Sequence, residues 1–346
     1  MKKYLSFLLV GLMAAVTVGC GGSPSSSSSD QSAQPAPQEQ KQEAPKEEKK
    51  SDYPNGPISL IVSFGAGGGT DLGARILAPF VEKELGVPVN IVNKPGGGGW
   101  VGWAELVSTK PDGYTIGYIN TPNIITGYVN PSFQRKENLD SFAPIANHVT
   151  DSGAIAIRKD ETRFTNINEL IEYAKSNELT TTSTGVGSDD HYAALKVNKD
   201  AGTKFRAVHT GGFGENLSNL LGGHVDVMFA NVGEVVTPFK EGQFKVIGVM
   251  SEERSPYLPD VPTLKESGIG DIFSWSARGI AAPAGVDPAV LEKLQAAFEK
   301  AINDPEQKKK MEEMGLQVDF RKGDDYAKML KEEEAGVMEL KSLLGW

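Results

Sequence analysis

The sequence predicts an α/β protein with two lobes, each a mostly parallel sheet flanked by helices. Three observations predict it. Short apolar runs alternate with amphipathic stretches from Pro57 to Ile119, and strand–helix–strand succession of this kind builds parallel sheets. The alternation restarts at Gly153 and continues to Met250. Glycine supplies 39 of the 346 residues, well above the usual ~7%, which asks for many tight loops rather than a helical bundle. The length suits about two domains. A hydrophobic fraction of 39% and a charged fraction of 23% exclude whole-chain disorder and a polytopic membrane protein.

The chain opens with Met1-Lys2-Lys3, an apolar run from Tyr4 to Val18, and Gly19-Cys20. A basic start, a short apolar middle and a small residue before the cut describe a secretory leader over residues 1–19. The run is short for a spanning helix, which needs about 20 residues. Thr17-Val18-Gly19-Cys20 resembles a bacterial lipobox, which implies lipidation of Cys20 and a membrane tether. With a single cysteine, an intramolecular disulfide and a cysteine-based zinc cluster are both excluded. Residues 20–52 form a spacer rich in Ser, Pro, Gln, Glu and Lys, too polar to offset its ordering entropy by burial. The formal charge is −10, and the charges of leader and spacer cancel, so the acidity belongs to the globular part. A sequence-independent nucleic-acid binder needs a basic surface, so nucleic acid is excluded as a partner.

The first lobe reads as a strand at 58–63, a helix from Thr70 to Leu85, a strand at 87–93, a helix from Trp100 to Thr109 and a strand at 114–119. Lys110-Pro111-Asp112-Gly113 marks the turn before the last strand. The second reads as strands at 153–158, 179–183, 205–209, 225–230 and 244–250. Helices at 167–176, 190–199 and 215–221 lie between them, the first capped by Asn166. Val290, Leu291, Leu294, Phe298 and Ile302 place a helix over Pro288–Asn303, and another spans Tyr326–Leu344. These late helices have no sheet of their own and are expected to return to the first lobe. The lobes are therefore set at 53–150 plus 281–346, and 151–280.

Strand-end loops carry the candidate chemistry. Phe64-Gly65-Ala66-Gly67-Gly68-Gly69-Thr70-Asp71 joins the first strand to the first helix. Glycines let backbone N–H groups approach a ligand, and a helix start adds free donors and partial positive charge. Asp71 reads first as a cap or first-turn acid, and alternatively as a partner for a ligand ammonium. A second loop, Asn93 to Gly99, is either a tight turn or a further part of the cleft, and Trp100 and Trp103 after it are core or cleft wall. In the second lobe, Ser183-Thr184-Gly185-Val186-Gly187-Ser188-Asp189 opens a helix with hydroxyl and N–H donors. Thr210-Gly211-Gly212-Phe213-Gly214 repeats the arrangement, and His191 is a ligand contact or a packed residue. Together the loops describe a clamp for a small anion.

Enzyme signatures do not fit. Thr70 stands where a dinucleotide fingerprint needs its third glycine, and there is no P-loop, nucleophile elbow or H-E-x-x-H. The four histidines have no metal spacing, so no metal or cofactor is expected.

Several stretches in order carry a family resemblance. They are Pro57–Phe64 with the loop to Asp71, Asn93–Gly99, Pro111–Thr115, Thr184–Ser188 with His191, Leu220–Phe229, Arg254–Thr263 and Ala281–Gly285. From about Tyr53 onward the chain resembles the extracytoplasmic solute-binding proteins of tripartite tricarboxylate transporters (Bug/TctC-like). The resemblance implies a two-lobed periplasmic-binding-protein fold, type II-like, with a hinge between lobes. It implies a non-enzymatic, monomeric receptor that captures a di- or tricarboxylate and hands it to transporter membrane subunits. Carried over, the ligand positions are Phe64, Gly65, Ala66, Gly67, Gly68, Thr70 and Asp71 in the first lobe. In the second they are Ser183, Thr184, Gly185, Gly187, Ser188, Asp189 and His191, with Thr121, Asn123, Thr210, Gly211 and Asn231 secondary. Thr210 and the two tryptophans depart from the family pattern and leave the ligand's identity open. The alternatives are an exported accessory that presents ligand to a sensor, and a nucleotide-using enzyme.

Overall fold

Ile58–Val62, apolar but for Ser59, is a strand, β1, and it is the centre of a parallel trio. The structure, a computed structural model, describes residues 52–346; the leader at 1–19, Cys20 and the spacer up to 51 lie outside them. From β1 the chain enters α1 (Gly69–Leu85), which Gly86 ends in the left-handed conformation at φ 74°. Strand β2 (Val89–Asn93), helix α2 (Trp100–Ser108), strand β3 (Thr115–Thr121) and a short helix α3 (Asn123–Val129) follow. A long strand, β4 (Phe142–Arg158), leads to α4 (Ile167–Ser176), β5 (Leu179–Ser183), α5 (Asp189–Ala201) and β6 (Phe205–His209). Then come α6 (Phe213–Leu221), β7 (Val227–Asn231), α7 (Val232–Lys240) and β8 (Phe244–Val249). The last elements are β9 (Trp275–Pro283), α8 (Pro288–Asn303), α9 (Pro305–Glu313), β10 (Val318–Lys322) and α10 (Gly323–Leu340).

The strands order as β2-β1-β3-β9-β4-β7-β5-β6, with β10 and β8 also paired to β4. Strand β4 divides this sheet into halves. Its residues from Phe142 to Ser152 pair with β9, and Ala146–Val149 also face β10. From Gly153 to Arg158 it pairs instead with β7 and β8. The parallel pairing expected from strand–helix alternation holds for β2–β1–β3 and for β6–β5–β7. Antiparallel β9, β4, β10 and β8 complete them, so each half is mixed. The expected lobe boundaries at 150/151 and 280/281 fall inside β4 and β9, and all of β9 pairs with first-half strands.

The short elements expected from the sequence match closely because their apolar pattern is clean, whereas α3, α7, α9 and β10 were not expected and the last helix runs over Gly323–Leu340 rather than Tyr326–Leu344. The first eleven residues of β4 escaped the sequence reading because Asn147, His148, Asp151 and Ser152 interrupt the pattern. Burial of these groups is made tolerable by partners no local pattern reveals. Asn147 Nδ2 donates to the Asp319 carbonyl at 2.8 Å. The fully buried His148 ring lies 2.7 Å from Tyr118 Oη and 2.7 Å from Gln307 Nε2. Helix α8, started by Pro288 with Asp287 capping the Ala289 N–H, packs Val290, Leu294, Phe298 and Ile302 against α1 and the first half of the sheet.

Burial, then the charge of Arg278, pushes the His148 imidazole down to about 3. Below pH 6.5 the unfolded chain takes up a proton that the folded ring refuses until about pH 3. Stability from this group is thus complete above 6.5 and is lost as pH falls, by up to about 1.4 kcal/mol per pH unit. His148→Gln is expected to flatten the acid limb by that amount. Urea unfolding of both proteins at pH 6.5 and 4.5 checks it.

Candidate functional site

The two halves meet at a crevice with about 30 Å³ of room for water-sized spheres, enough for a water or two. One wall is the N-terminus of α1 (Gly68, Gly69, Thr70) with Asn120 of β3, Asn123 of α3, and Ser276 and Arg278 of β9. The other is Thr184, Asp189 and Asp190 at the start of α5, Gly212 and Phe213 at the start of α6, and Asn231 and Glu234 at the start of α7. Four helices of nine residues or more, α1, α5, α6 and α7, thus begin at the crevice. Their first-turn N–H groups have no intrahelical acceptor and carry partial positive charge.

Arg278 is the centre of the site, only 3% exposed. Pairing of β9 with β3 sets it opposite Asn120. Its Nη2 donates to Asn231 Oδ1 at 2.7 Å, and its Nη1 lies 3.0 Å from Asp151 Oδ2. That second contact is an ion pair without hydrogen-bond alignment, so Nη1 makes no hydrogen bond to any described residue. The guanidinium lies against Gly69, where a Cβ would stand 2.1 Å from Nη1. Only glycine admits this approach.

Carboxylates surround the guanidinium. Burial disfavours its charge, but Asp151, Glu234, Asp189 and Asp190 outweigh burial and hold it more firmly protonated than usual. Burial pushes Asp151 up to about 7 against the pull of Arg278 and of the Gly233 N–H, which its Oδ1 accepts at 3.1 Å. Burial also raises Asp189, though Asn231 Nδ2 donates to its Oδ2 at 2.8 Å. Asp190 is raised furthest, first by burial and then by Asp189 and Glu234. Glu234 bridges the halves: its Oε1 accepts the Gly69 N–H and its Oε2 the Asn231 N–H, each at 3.2 Å.

Seven of the expected ligand positions line this crevice: Phe64, Gly68, Thr70, Asn123, Thr184, Asp189 and Asn231. Gly185 and Thr210 line an adjoining cavity shared with Asn123 and Trp100, and Gly65, Ala66 and Gly211 line a groove on the outer side. The remaining ones hold the loops in shape. Asp71 pairs with Arg75 at 2.9 Å and accepts from the Gly67 N–H and Asn93 Nδ2, so it is a loop brace. Ser183 Oγ binds the Gly185 backbone and Ser188 caps α5. Gly187 packs on Thr126. His191 Nδ1 accepts the Gly187 N–H at 3.0 Å, and burial pushes its pKa down to about 4. Thr121 is buried, its carbonyl accepting from Ser276 Oγ. Trp103 is core, donating to the Tyr118 carbonyl at 2.7 Å.

Asn120, Asp190, Glu234, Ser276 and Arg278 line the crevice without being expected ligand positions, and Gly69, Gly212 and Phe213 line it after being named only as members of their loops. Arg278 had one signal, a charge inside the small, apolar run Ala277–Pro283.

The family model described as "Tripartite tricarboxylate transporter family receptor" matches residues 73–342. The chain belongs to that family. It is a family of solute-binding receptors that act outside the cytoplasm. A Cupriavidus necator protein, "UPF0065 protein in gbd 5'region", is 32% identical over 283 residues, covering 81% of this chain and 85% of the relative. A ligand-free solute-binding protein of this family from Polaromonas superposes with a TM-score of 0.61 at 32% identity, over 84% of this chain and 99% of that one. The malate-bound MatC of Rhodopseudomonas palustris superposes with 0.76 at 26% identity, over 82% and 98%. No helix among the described residues is long and apolar enough to cross a membrane.

Removing a partner from a buried ion pair costs about 3–5 kcal/mol. Arg278→Met is expected to lose that much at pH 8. The deficit shrinks at pH 5, because carboxyls with raised folded pKa values favour the fold when protonated and oppose it as pH rises through about 7. Urea unfolding at the two pH values checks both.

Proposed function

We propose that this receptor captures a small organic acid in the crevice and delivers it to the membrane subunits of a tripartite tricarboxylate transporter, tethered through lipid on Cys20. The carrying observation is Arg278, a buried guanidinium whose Nη1 is ion-paired with Asp151 but makes no hydrogen bond among the described residues, at the mouth of four helix N-termini. Such a set stabilises a carboxylate even in a protein of net charge −10. Distant charges are screened within about 8 Å at physiological salt, whereas donors at the site act at contact. The ligand contacts in this reading are Gly68, Gly69 and Thr70, with Arg278, Asn123, Thr184 and Asn231. MatC's bound malate supports a carboxylate ligand.

Room for a water or two means that a solute enters only when the halves part. Strand β4 changes partners between Ser152 and Gly153, which makes that point the natural hinge. The chain's higher TM-score to malate-bound MatC than to the more identical ligand-free protein fits a difference in angle between halves.

The test is thermal unfolding of the refolded, ligand-stripped protein against small mono-, di- and tricarboxylic acids, with and without nitrogen. A cognate acid at 100 times its Kd adds about 2.7 kcal/mol, an upward Tm shift of about 4 °C at this size. No shift with any acid would count against the receptor reading.

A further inference from the structure

We infer that the solute carries a basic nitrogen beside its carboxylate, as a small amino acid does, and that Asp190 and Asn120 hold that nitrogen. The inference rests on the receptor reading and narrows its substrate class.

The crevice is lined by one basic side chain, Arg278, against three acidic ones, Asp189, Asp190 and Glu234. Asp151 stands behind the guanidinium. Three of these four carboxylates are occupied. Asp151 is paired with Arg278 and accepts the Gly233 N–H. Asp189 accepts from Asn231, and Glu234 from the Gly69 N–H across the crevice and the Asn231 N–H at its own helix start. Asp190 is different. It is 3% exposed, and among the described residues Thr184 alone hydrogen-bonds it, through its backbone N–H and a long bond from Oγ1 at 3.4 Å. It does not cap α5 either, since Ser188 does that. A buried carboxylate so poorly answered needs a donor from elsewhere.

Asn120 gives the second, independent observation. It is also 3% exposed and lines the same crevice. Its Nδ2 is used on Thr70 Oγ1 at 2.7 Å, and its Oδ1 has no partner among the described residues. The two under-satisfied groups on this side, Asn120 Oδ1 and Asp190 in the ionised form that a neighbouring cation favours, are both acceptors. An ammonium supplies three N–H donors and a positive charge. An ionised di- or tricarboxylate supplies only acceptors, and its second carboxylate would face the acidic group. The complementary group is Arg278, whose Nη1 stands 3.0 Å from Asp151 as an ion pair but makes no hydrogen bond among the described residues. The helix N-termini add about half a positive charge each, which offsets part of the negative charge of the acids. One donor-seeking end and one acceptor-seeking end in one small crevice describe a zwitterion.

The experiment is titration calorimetry on the refolded full chain with solutes that differ only by the amine: succinate and aspartate, glutarate and glutamate, propionate and alanine. At least one amine-bearing member is expected to bind 100-fold or more tightly than its partner. Asp190→Asn, isosteric and relieved of a buried charge, is expected to melt no lower than the parent. It should lose at least 30-fold in affinity for that amino acid and bring the two members of the pair within a few-fold. Equal or tighter binding of the acids without nitrogen would overturn the inference and leave the receptor reading standing. An amine preference undiminished in Asp190→Asn would overturn the assignment to Asp190. Failure of every solute to bind overturns both readings.

Discussion

The molecule is organised around one buried ion pair, Arg278 with Asp151, at the point where β4 leaves one half of the sheet for the other. Asp151 stands in the stretch of β4 that still pairs with β9, beside the change of partners at Gly153. Its second carboxylate oxygen holds the Gly233 N–H of α7, while Arg278 reaches Asn231 at the end of β7. The pair thus ties β9 and β4 to the start of α7. Two desolvated charges are a poor source of stability, but leaving either alone is worse. The neighbours follow from this. Gly69 must lack a Cβ for the guanidinium to fit, and the polar residues of β4 become tolerable only with their partners in place.

The acidic character of the site has a structural origin and a chemical consequence. Helices α1, α5, α6 and α7 begin at the crevice, and acids in the first turns of α5 and α7 answer their positive ends. Glu234 goes further and bonds the first N–H of α1 from the opposite half. The protein's own carboxylate therefore occupies part of the anion site that a glycine loop and helix start create. In the proposed reading, selectivity comes from the groups least answered within the fold: Arg278 Nη1, Asn120 Oδ1 and the carboxyl of Asp190.

Much of the fold was legible. Leu179–Ser183, Phe205–His209, Ile167–Ser176 and Pro288–Asn303 were read with the bounds the structure has, because each carries its own apolar period, cap or flanking turn. Strand β9 and most of β4 were not, because their polar and charged residues are stabilised by partners distant in sequence. The site divides in the same way. Loops at strand ends were visible as glycine and hydroxyl clusters, yet several of their residues, Asp71, Ser183 and Ser188 among them, serve the loop itself.

Local chemistry therefore determined what depends on neighbours along the chain: the class of fold, the alternation of elements, the glycine turns and the helix starts that favour an anion. Only the tertiary structure decided which groups meet. Arg278, Asp151, Asn120 and Asp190 come from three strands and a helix separated by many residues, and strand pairing and burial bring them together. Burial then removes water as the default partner, so the hydrogen bonds each group makes or lacks acquire meaning. That information resides in the packing of the halves and in no segment alone.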